Sequence, residues 1–384
     1  MTNIKEIRPL HIGKFIPPPY AGVEAHVDSL LTSLSPAFNC TLVAGKSSVT
    51  DLNRAQEQYP YNVIEASSFG KFASATLSPG VMSIAREELL SGKSNLLHIH
   101  SPNPWGDLTA LLLPAHIPVV MSWHSDIIRQ KNIMRLYKYI QNKAINRANK
   151  IIVATPGHYL SSNQLNQFDV SSKIVSVPYG IDFKSLHETK VDQEFFLEIK
   201  KFANERPIVL TVGRHVSYKG YSYLLKAFSK RKSEAILVMI GIGPLTQELV
   251  SLASELGITK RILFVGEVGM PKLAAAFRAC DFFCLPSISQ AEAFGIASAE
   301  AMSFGKPTIV CNLQNGVNYL NQDKITSLVV EPYSVEELSS SIDLLASDIA
   351  LRSRLGLEAK KRVEAEFSME AMRIGVQNVY ESLF

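Results

Sequence analysis

Strand-like and helix-like runs alternate almost throughout this 384-residue chain, stop once near residue 180, and then begin again. Apolar strand-like runs fall at Ile7–Ile12, Cys40–Ala44, Leu96–His100, Val119–Trp123, Lys150–Ala154 and Ile174–Val177, with helical patterns such as Gly22–Leu34 and Pro104–Leu113 between them. Alternation of this kind predicts parallel sheets covered by helices on both faces. The turn-rich Pro178-Tyr-Gly-Ile-Asp182 and a polar stretch, His187 to Arg206, interrupt the series. It restarts with strands Ile208–Val212, Ala235–Ile240, Ile262–Val265, Phe282–Leu285 and Thr308–Cys311, and with helices Tyr221–Ser229, Thr246–Leu256, Lys272–Ala279 and Ala297–Phe304. A chain this long exceeds one hydrophobic core. Two doubly wound α/β domains are therefore expected, 1–186 and 187–360, facing across a cleft, with 361–384 as a C-terminal helix free to return to the first domain.

Composition excludes several classes. Charged residues make up 19% and hydrophobic residues 46%, which is ordinary for a globular protein. The four cysteines, Cys40, Cys280, Cys284 and Cys311, lack metal-ligand spacing and read as buried thiols of a reducing cytoplasm. The run Ile7–Ile12 is too short and too interrupted for a secretory signal, and Pro114, His116 and Pro118 break the longest apolar stretch, so no membrane span is expected. A net charge of +4 does not point to nucleic acid. Its distribution is more informative, because Ile128 to Lys150 holds seven Lys or Arg and no acid. At helical spacing Lys131, Arg135 and Lys138 share one face, while Ile133, Tyr137, Ile140 and Ala144 form an apolar stripe. A basic amphipathic helix suits an anionic membrane surface, or is simply a solvated face.

Charged residues gather where the second series ends its strands. Val212-Gly-Arg-His-Val-Ser-Tyr-Lys-Gly220 places Arg214 and Lys219 after a strand, where two fixed cations fit a diphosphate. Glu292-Ala-Phe-Gly-Ile-Ala-Ser-Ala-Glu300, after the strand-like run Asp281–Pro286, puts one acid at that strand's C-terminal edge and a second one turn inside the following helix. Gly295 leaves the first N–H groups of that helix open to an anion. Two carboxylates beside such a site repel phosphate and suit the hydroxyl-rich groups on either side of it. Gly241 and Gly243 form a Gly-x-Gly after a strand, but Pro244 breaks the dinucleotide fingerprint, so they let the backbone approach a nucleotide or turn tightly.

The first series carries fewer signals. Gly22 opens a helix after the loop Gly13–Ala21 and could admit a phosphate or acceptor group, with Glu24 in the first turn. His124, in Ser122-Trp-His-Ser-Asp126, stands at a strand end facing the expected cleft, and Asp126 is too close in sequence to orient its ring. His98 and His100 read as strand residues, His100 with access to the cleft. No Asp-x-Asp holder for a metal diphosphate occurs in the chain.

Together these segments resemble the retaining glycosyltransferases of family 4, which have the GT-B fold. The resemblance covers nearly the whole chain, through Ala21-Gly22-Val23-Glu24, Trp123–Asp126, Val177–Asp182, Gly213-Arg214, Lys219-Gly220, Phe264–Gly266 and Glu292–Glu300. It implies that Arg214 and Lys219 bind the donor diphosphate, Glu292 the donor sugar hydroxyls, and Glu300 the ribose. It also implies that amides around Phe294, Gly295 and Ile296 face sugar and phosphate, and that His124 lies beside the transferred sugar. The chain departs from the family at Ala21 in place of the first glycine of a pair, at Ala297-Ser-Ala, and at Gln314-Asn-Gly316. None of these removes a charged site residue.

The implied reaction is metal-independent hexose transfer with retention, using a nucleotide sugar as co-substrate and no cofactor. Tyr218-Lys-Gly220 and Asn315-Gly-Val317 look like mannosyltransferases of bacterial polysaccharide assembly, which favours GDP-mannose as donor, with UDP-sugars as the alternative. The acceptor is then a lipid-linked or oligosaccharide chain at the inner face of the plasma membrane. A sugar-nucleotide epimerase and a catalytically silent nucleotide-binding subunit are the competing readings.

Overall fold

A computed structural model describes residues 7–16, 22–45, 59–69, 71–72, 75–76, 78–126 and 131–384. The chain forms two compact units, Met1–Gly180 with Met369–Phe384, and Ile181–Ser368. Among the described residues the first unit holds a seven-stranded sheet of β1 (Pro9–Phe15), β2 (Thr41–Gly45), β3 (Asn62–Ala66), β4 (Leu96–Ser101), β5 (Val119–Trp123), β6 (Lys150–Val153) and β7 (Ile174–Ser176). Its order is β3-β2-β1-β4-β5-β6-β7 and every pairing is parallel. The second unit has β8 (Ile208–Val212), β9 (Ile236–Ile240), β10 (Ile262–Gly266), β11 (Phe282–Leu285), β12 (Thr308–Cys311) and β13 (Ser327–Val330), ordered β10-β9-β8-β11-β12-β13 and again all parallel. Strands such as Ile236-Leu-Val-Met-Ile240 are buried on both faces, which is why they read as unbroken apolar runs.

Each sheet reverses direction beside its first strand, between β1 and β4 and between β8 and β11. Doubly wound sheets bind ligands at such switch points, beyond the carboxyl ends of the strands. Helix starts are fixed locally. Asn103 caps helix Pro104–Leu112 by accepting from the Gly106 amide at 3.2 Å, and Asp182 caps Phe183–Glu188 by accepting from Ser185 at 2.9 Å.

The observed boundaries differ from 186 and 360. Helix Phe183–Glu188 belongs to the second unit, where Phe183 packs with Met302, Ala359 and Phe367. Helix Ile349–Glu366 runs past residue 360 within that same unit. The chain returns to the first unit only from Met369, where Met372, Val376, Val379 and Tyr380 enter the core formed with Val27, Leu30 and Leu42. All four cysteines are buried free thiols, and burial raises Cys40 to about 12.

Candidate active site

In the second unit the switch point brings two of the predicted charged residues, Lys219 and Glu292, together. Lys219 ends the loop after β8, and Glu292 lies on the loop after β11. Gly220, with φ +68°, passes so close to Pro286 that a Cβ would sit 2.1 Å from its carbonyl oxygen, so only glycine lets the two loops meet. Lys219 Nζ then lies 2.5 Å from Glu292 Oε2, and the two side chains are only 12% and 11% exposed. Ser287 Oγ donates to the same carboxylate oxygen at 2.9 Å, and Asn315 Nδ2 donates to the Glu292 carbonyl at 2.7 Å. Ser287 and Asn315 carry no charge, and sequence alone does not mark them as partners of Glu292.

Three residues after Glu292, Gly295 adopts φ +77° and starts helix Ile296–Ser303 with no side-chain cap. The Phe294 ring turns inward against Phe367, 5.6 Å between centroids, so its side chain anchors the loop and leaves the backbone at the site. Ile296 is more than half exposed. Glu300 sits in the second turn of that helix, and burial raises its carboxyl to about 7. Arg214 is exposed on the rim of an 840 Å³ cavity also lined by Gly241, Gly243, Thr246, Glu267 and Leu273. Gly241 serves loop packing: a Cβ there would lie 2.1 Å from the Gly213 carbonyl oxygen, which closes the β8 loop onto the β9 loop.

Glu300 yields a prediction with opposed signs. Its raised folded pKa means that its proton is kept between about 4.5 and 7 in the folded chain and lost in the unfolded one, so its contribution to stability disappears as pH rises toward 7. Glu300→Gln should therefore raise the melting temperature of this unit above pH 7, by on the order of 1–3 kcal/mol of stability. On the expectation that Glu300 holds a ribose, the same variant should also weaken nucleotide binding, and calorimetric titration beside a melting curve checks both.

In the first unit His124 follows β5, and its amide donates to the Ser101 carbonyl at 3.1 Å. Its ring is held by two neighbours, His100 at Nε2 (3.1 Å) and the Tyr179 hydroxyl at Nδ1 (2.8 Å). Asp126 accepts from Trp123 Nε1, Ser162 Oγ and the Gln164 amide, and so fixes the loop instead of the imidazole. Behind His124, fully buried His11, His98 and His100 lie on one face of β1 and β4 and hydrogen-bond onward to Tyr380. His98 and His100, read from sequence as strand residues, are thus part of a polar network that sequence does not disclose. Gly22 opens helix Gly22–Leu34, and Ala21, in front of it, lies outside the described residues.

Residues 20–185 match the family described as Glycosyltransferase Family 4, and residues 192–362 match Glycosyl transferases group 1. The chain belongs to the family 4 glycosyltransferases. The chain is 26% identical to the O-antigen chain mannosyltransferase C of Escherichia coli, over 98% of this chain and 99% of that protein. It is 28% identical to the D-rhamnosyltransferase WbpZ of Pseudomonas aeruginosa, over 78% and 76% of the two chains. Among solved structures, Anabaena HepE in complex with UDP is 16% identical and covers 98% of this chain and 100% of its own, with a TM-score of 0.73. That likeness is of fold: the glycosyltransferase described here has the GT-B fold, each of its units being a doubly wound parallel sheet.

Proposed function

We propose that this glycosyltransferase moves mannose from GDP-mannose, with retention and without a metal, to a lipid-linked or oligosaccharide acceptor of a bacterial surface polysaccharide. The observation that carries the reading is the Lys219–Glu292 pair beside the uncapped helix start at Gly295. A cation and open amides meet the diphosphate there, and a carboxylate meets the sugar hydroxyls. Arg214 and Lys219 stabilise the charge that grows on the leaving phosphate, an effect that can supply several kcal/mol. Glu292 is tied to Lys219 and Ser287, which suits sugar binding better than nucleophilic attack. The acceptor hydroxyl attacks on the face the leaving group vacates, and its proton passes to the departing phosphate. Mannosyltransferase relatives support mannose, and Glu267 on the cavity rim offers an acceptor for the N–H edge of guanine.

A panel of GDP- and UDP-sugars tested for binding and turnover, with and without chelator, decides the donor. Turnover of UDP-glucose alone would replace the donor, epimerised free sugar would replace the reaction, and a trapped glycosyl-enzyme would replace the mechanism. No described helix is long and apolar enough to cross a membrane. In helix Lys131–Arg147 the apolar side is consumed by the core, with Tyr137, Ala144 and Ile145 buried, while Lys138, Tyr139 and Lys143 face outward. The side chains of Lys131, Arg135 and Ile133 lie outside the described residues. Contact with anionic lipid therefore rests on charge, worth about 1 kcal/mol per residue near the surface. Reversing Lys131, Arg135 and Lys138 should lower binding to phosphatidylglycerol vesicles at least tenfold in a sedimentation assay.

A further inference from the structure

Six hydrogen bonds join seven groups into one line through the first unit. Ser122 Oγ lies 2.8 Å from His98 Nε2, and His98 Nδ1 lies 2.6 Å from the Tyr380 hydroxyl. That hydroxyl is 3.1 Å from His11 Nε2, and His11 Nδ1 is 3.1 Å from His100 Nε2. His100 Nδ1 is 3.1 Å from His124 Nε2, and His124 Nδ1 is 2.8 Å from the Tyr179 hydroxyl. Sheet register explains the assembly, since His11 pairs with His98, and His100 with Ser122. Tyr380 comes from the returning C-terminal helix. The imidazoles are held neutral by burial, so each donates once and accepts once.

Such a line can run in only two directions, and the proton on Ser122 chooses between them. Ser122 is buried, and His98 Nε2 is the hydrogen-bond partner of its hydroxyl among the described residues. The cavity beside it has a volume of about 10 Å³ with mostly apolar walls, at the lower limit for one water. If His98 donated to Ser122, the serine proton would be buried without an acceptor, at a cost that the opposite direction avoids. We infer that the line is polarised from Ser122 to Tyr179, with all four histidines in the Nδ1–H form, and that it leaves the Tyr179 hydroxyl proton free as a donor for a ligand oxygen. Tyr179 is half-buried, stacks on His26 at 4.3 Å, and stands at the open end of the line. His124, with both nitrogens engaged, acts as a positioning residue, and Tyr179 is the group that touches ligand. The ligand role rests on the glycosyltransferase reading above, whereas the polarity does not. His11, His98 and His100 could alternatively hold a metal, their ligand atoms lying within 4.8 Å of one another, but each of their ring nitrogens already has a hydrogen-bond partner.

Long-range proton–nitrogen spectra of the full-length protein labelled with ¹⁵N-histidine at pH 7.5 read the tautomers directly. Protonated Nδ1 and bare Nε2 are expected for His11, His98, His100 and His124, and a protonated Nε2 on any of them overturns the assignment. Ser122→Ala removes the donor that fixes the direction, so both Nδ1–H and Nε2–H forms of His98 should become populated, while Ser122→Thr, which keeps the hydroxyl, should retain the wild-type pattern. Wild-type tautomers in the alanine variant would remove Ser122 as the determinant. Stoichiometric Zn²⁺ that shifts the His11, His98 and His100 nitrogens would replace the line with a metal centre. Tyr179→Phe removes the acceptor of the His124 Nδ1–H as well as the free proton, so the melting temperature should fall, as for any buried donor left without a partner, and kcat/KM for GDP-mannose should fall at least tenfold; an unchanged kcat/KM overturns the role of Tyr179. A wild-type protein inert toward GDP-mannose refutes the donor reading instead, and the spectra still decide the polarity.

Discussion

Glu292→Gln is expected to lower sugar transfer by about 100- to 1,000-fold while leaving the binding of bare GDP as tight as in the wild type, or up to about tenfold tighter. In the structure the carboxylate neutralises Lys219 at 2.5 Å, with both side chains close to buried. A diphosphate entering the site must therefore compete with Glu292 for the ammonium and lie near a like charge. The glutamine keeps a partner for Ser287 but leaves Lys219 uncompensated, and removing one member of a buried pair costs about 3–5 kcal/mol. GDP supplies the missing charge. The variant should melt lower than the wild type when empty, and gain more degrees on adding GDP. On the role proposed for Glu292, turnover falls because the sugar hydroxyls lose the acceptor that orients them. Isothermal titration with GDP and a transfer assay separate the two effects. A GDP affinity that falls in step with turnover would mean that Glu292 serves the diphosphate, contrary to the geometry.

Much of this site is legible in the amino-acid sequence. Parallel strands buried on both faces leave continuous apolar runs, so the strands that carry Lys219 and Glu292 are evident, and fixed charges at their carboxyl ends stand out against an apolar background. The acids eight apart become meaningful only when the chain brings Lys219 beside the first of them. Ser287 and Asn315 stay hidden because uncharged loop residues carry no pattern. The histidine line is hidden for a topological reason. The pairing of His11 with His98 depends on β1 lying beside β4, a neighbour more than 80 residues away. The apolar stripe Tyr137–Ala144 is correct as a pattern, yet its use is packing against the helix that bears Asp107, not insertion into lipid. The unit boundary resists reading because helix Ile349–Glu366 is only weakly amphipathic and Met369–Glu381 follows it within three residues, and helical periodicity says nothing about which core each one covers.

The same histidines should make the first unit acid-labile at a pH where the second unit is unharmed. His11 is lowered to about 3, by burial and then by repulsion from His26, and His26 itself is lowered by burial to about 4. His98, His100 and His124 are held well below the ordinary value, again mainly by burial, with Lys14 and His158 adding repulsion at His124. An unfolded chain protonates each of these near 6.5 while the folded chain does not. Stability from these groups is therefore complete above about 6.5 and drains away as pH falls toward 4, at a ceiling of about 1.4 kcal/mol per pH unit for each histidine. Asp107, raised to about 7 by burial, works in the opposite sense over the same range, because the folded chain keeps a proton that the unfolded one releases. One acid against five histidines leaves a net loss, large beside the roughly 5–15 kcal/mol that holds a domain folded. In the second unit Glu300 follows the sign of Asp107 and opposes His187 and His215, which burial lowers, so acidification from pH 7 to 5 moves that unit far less. Urea unfolding at pH 7.5, 6.5 and 5.5 should show one transition moving steeply to lower urea while the other moves far less. Absence of movement would show that the buried histidines titrate as they do in water, and equal movement of both would show that the acid effect does not come from the histidine line.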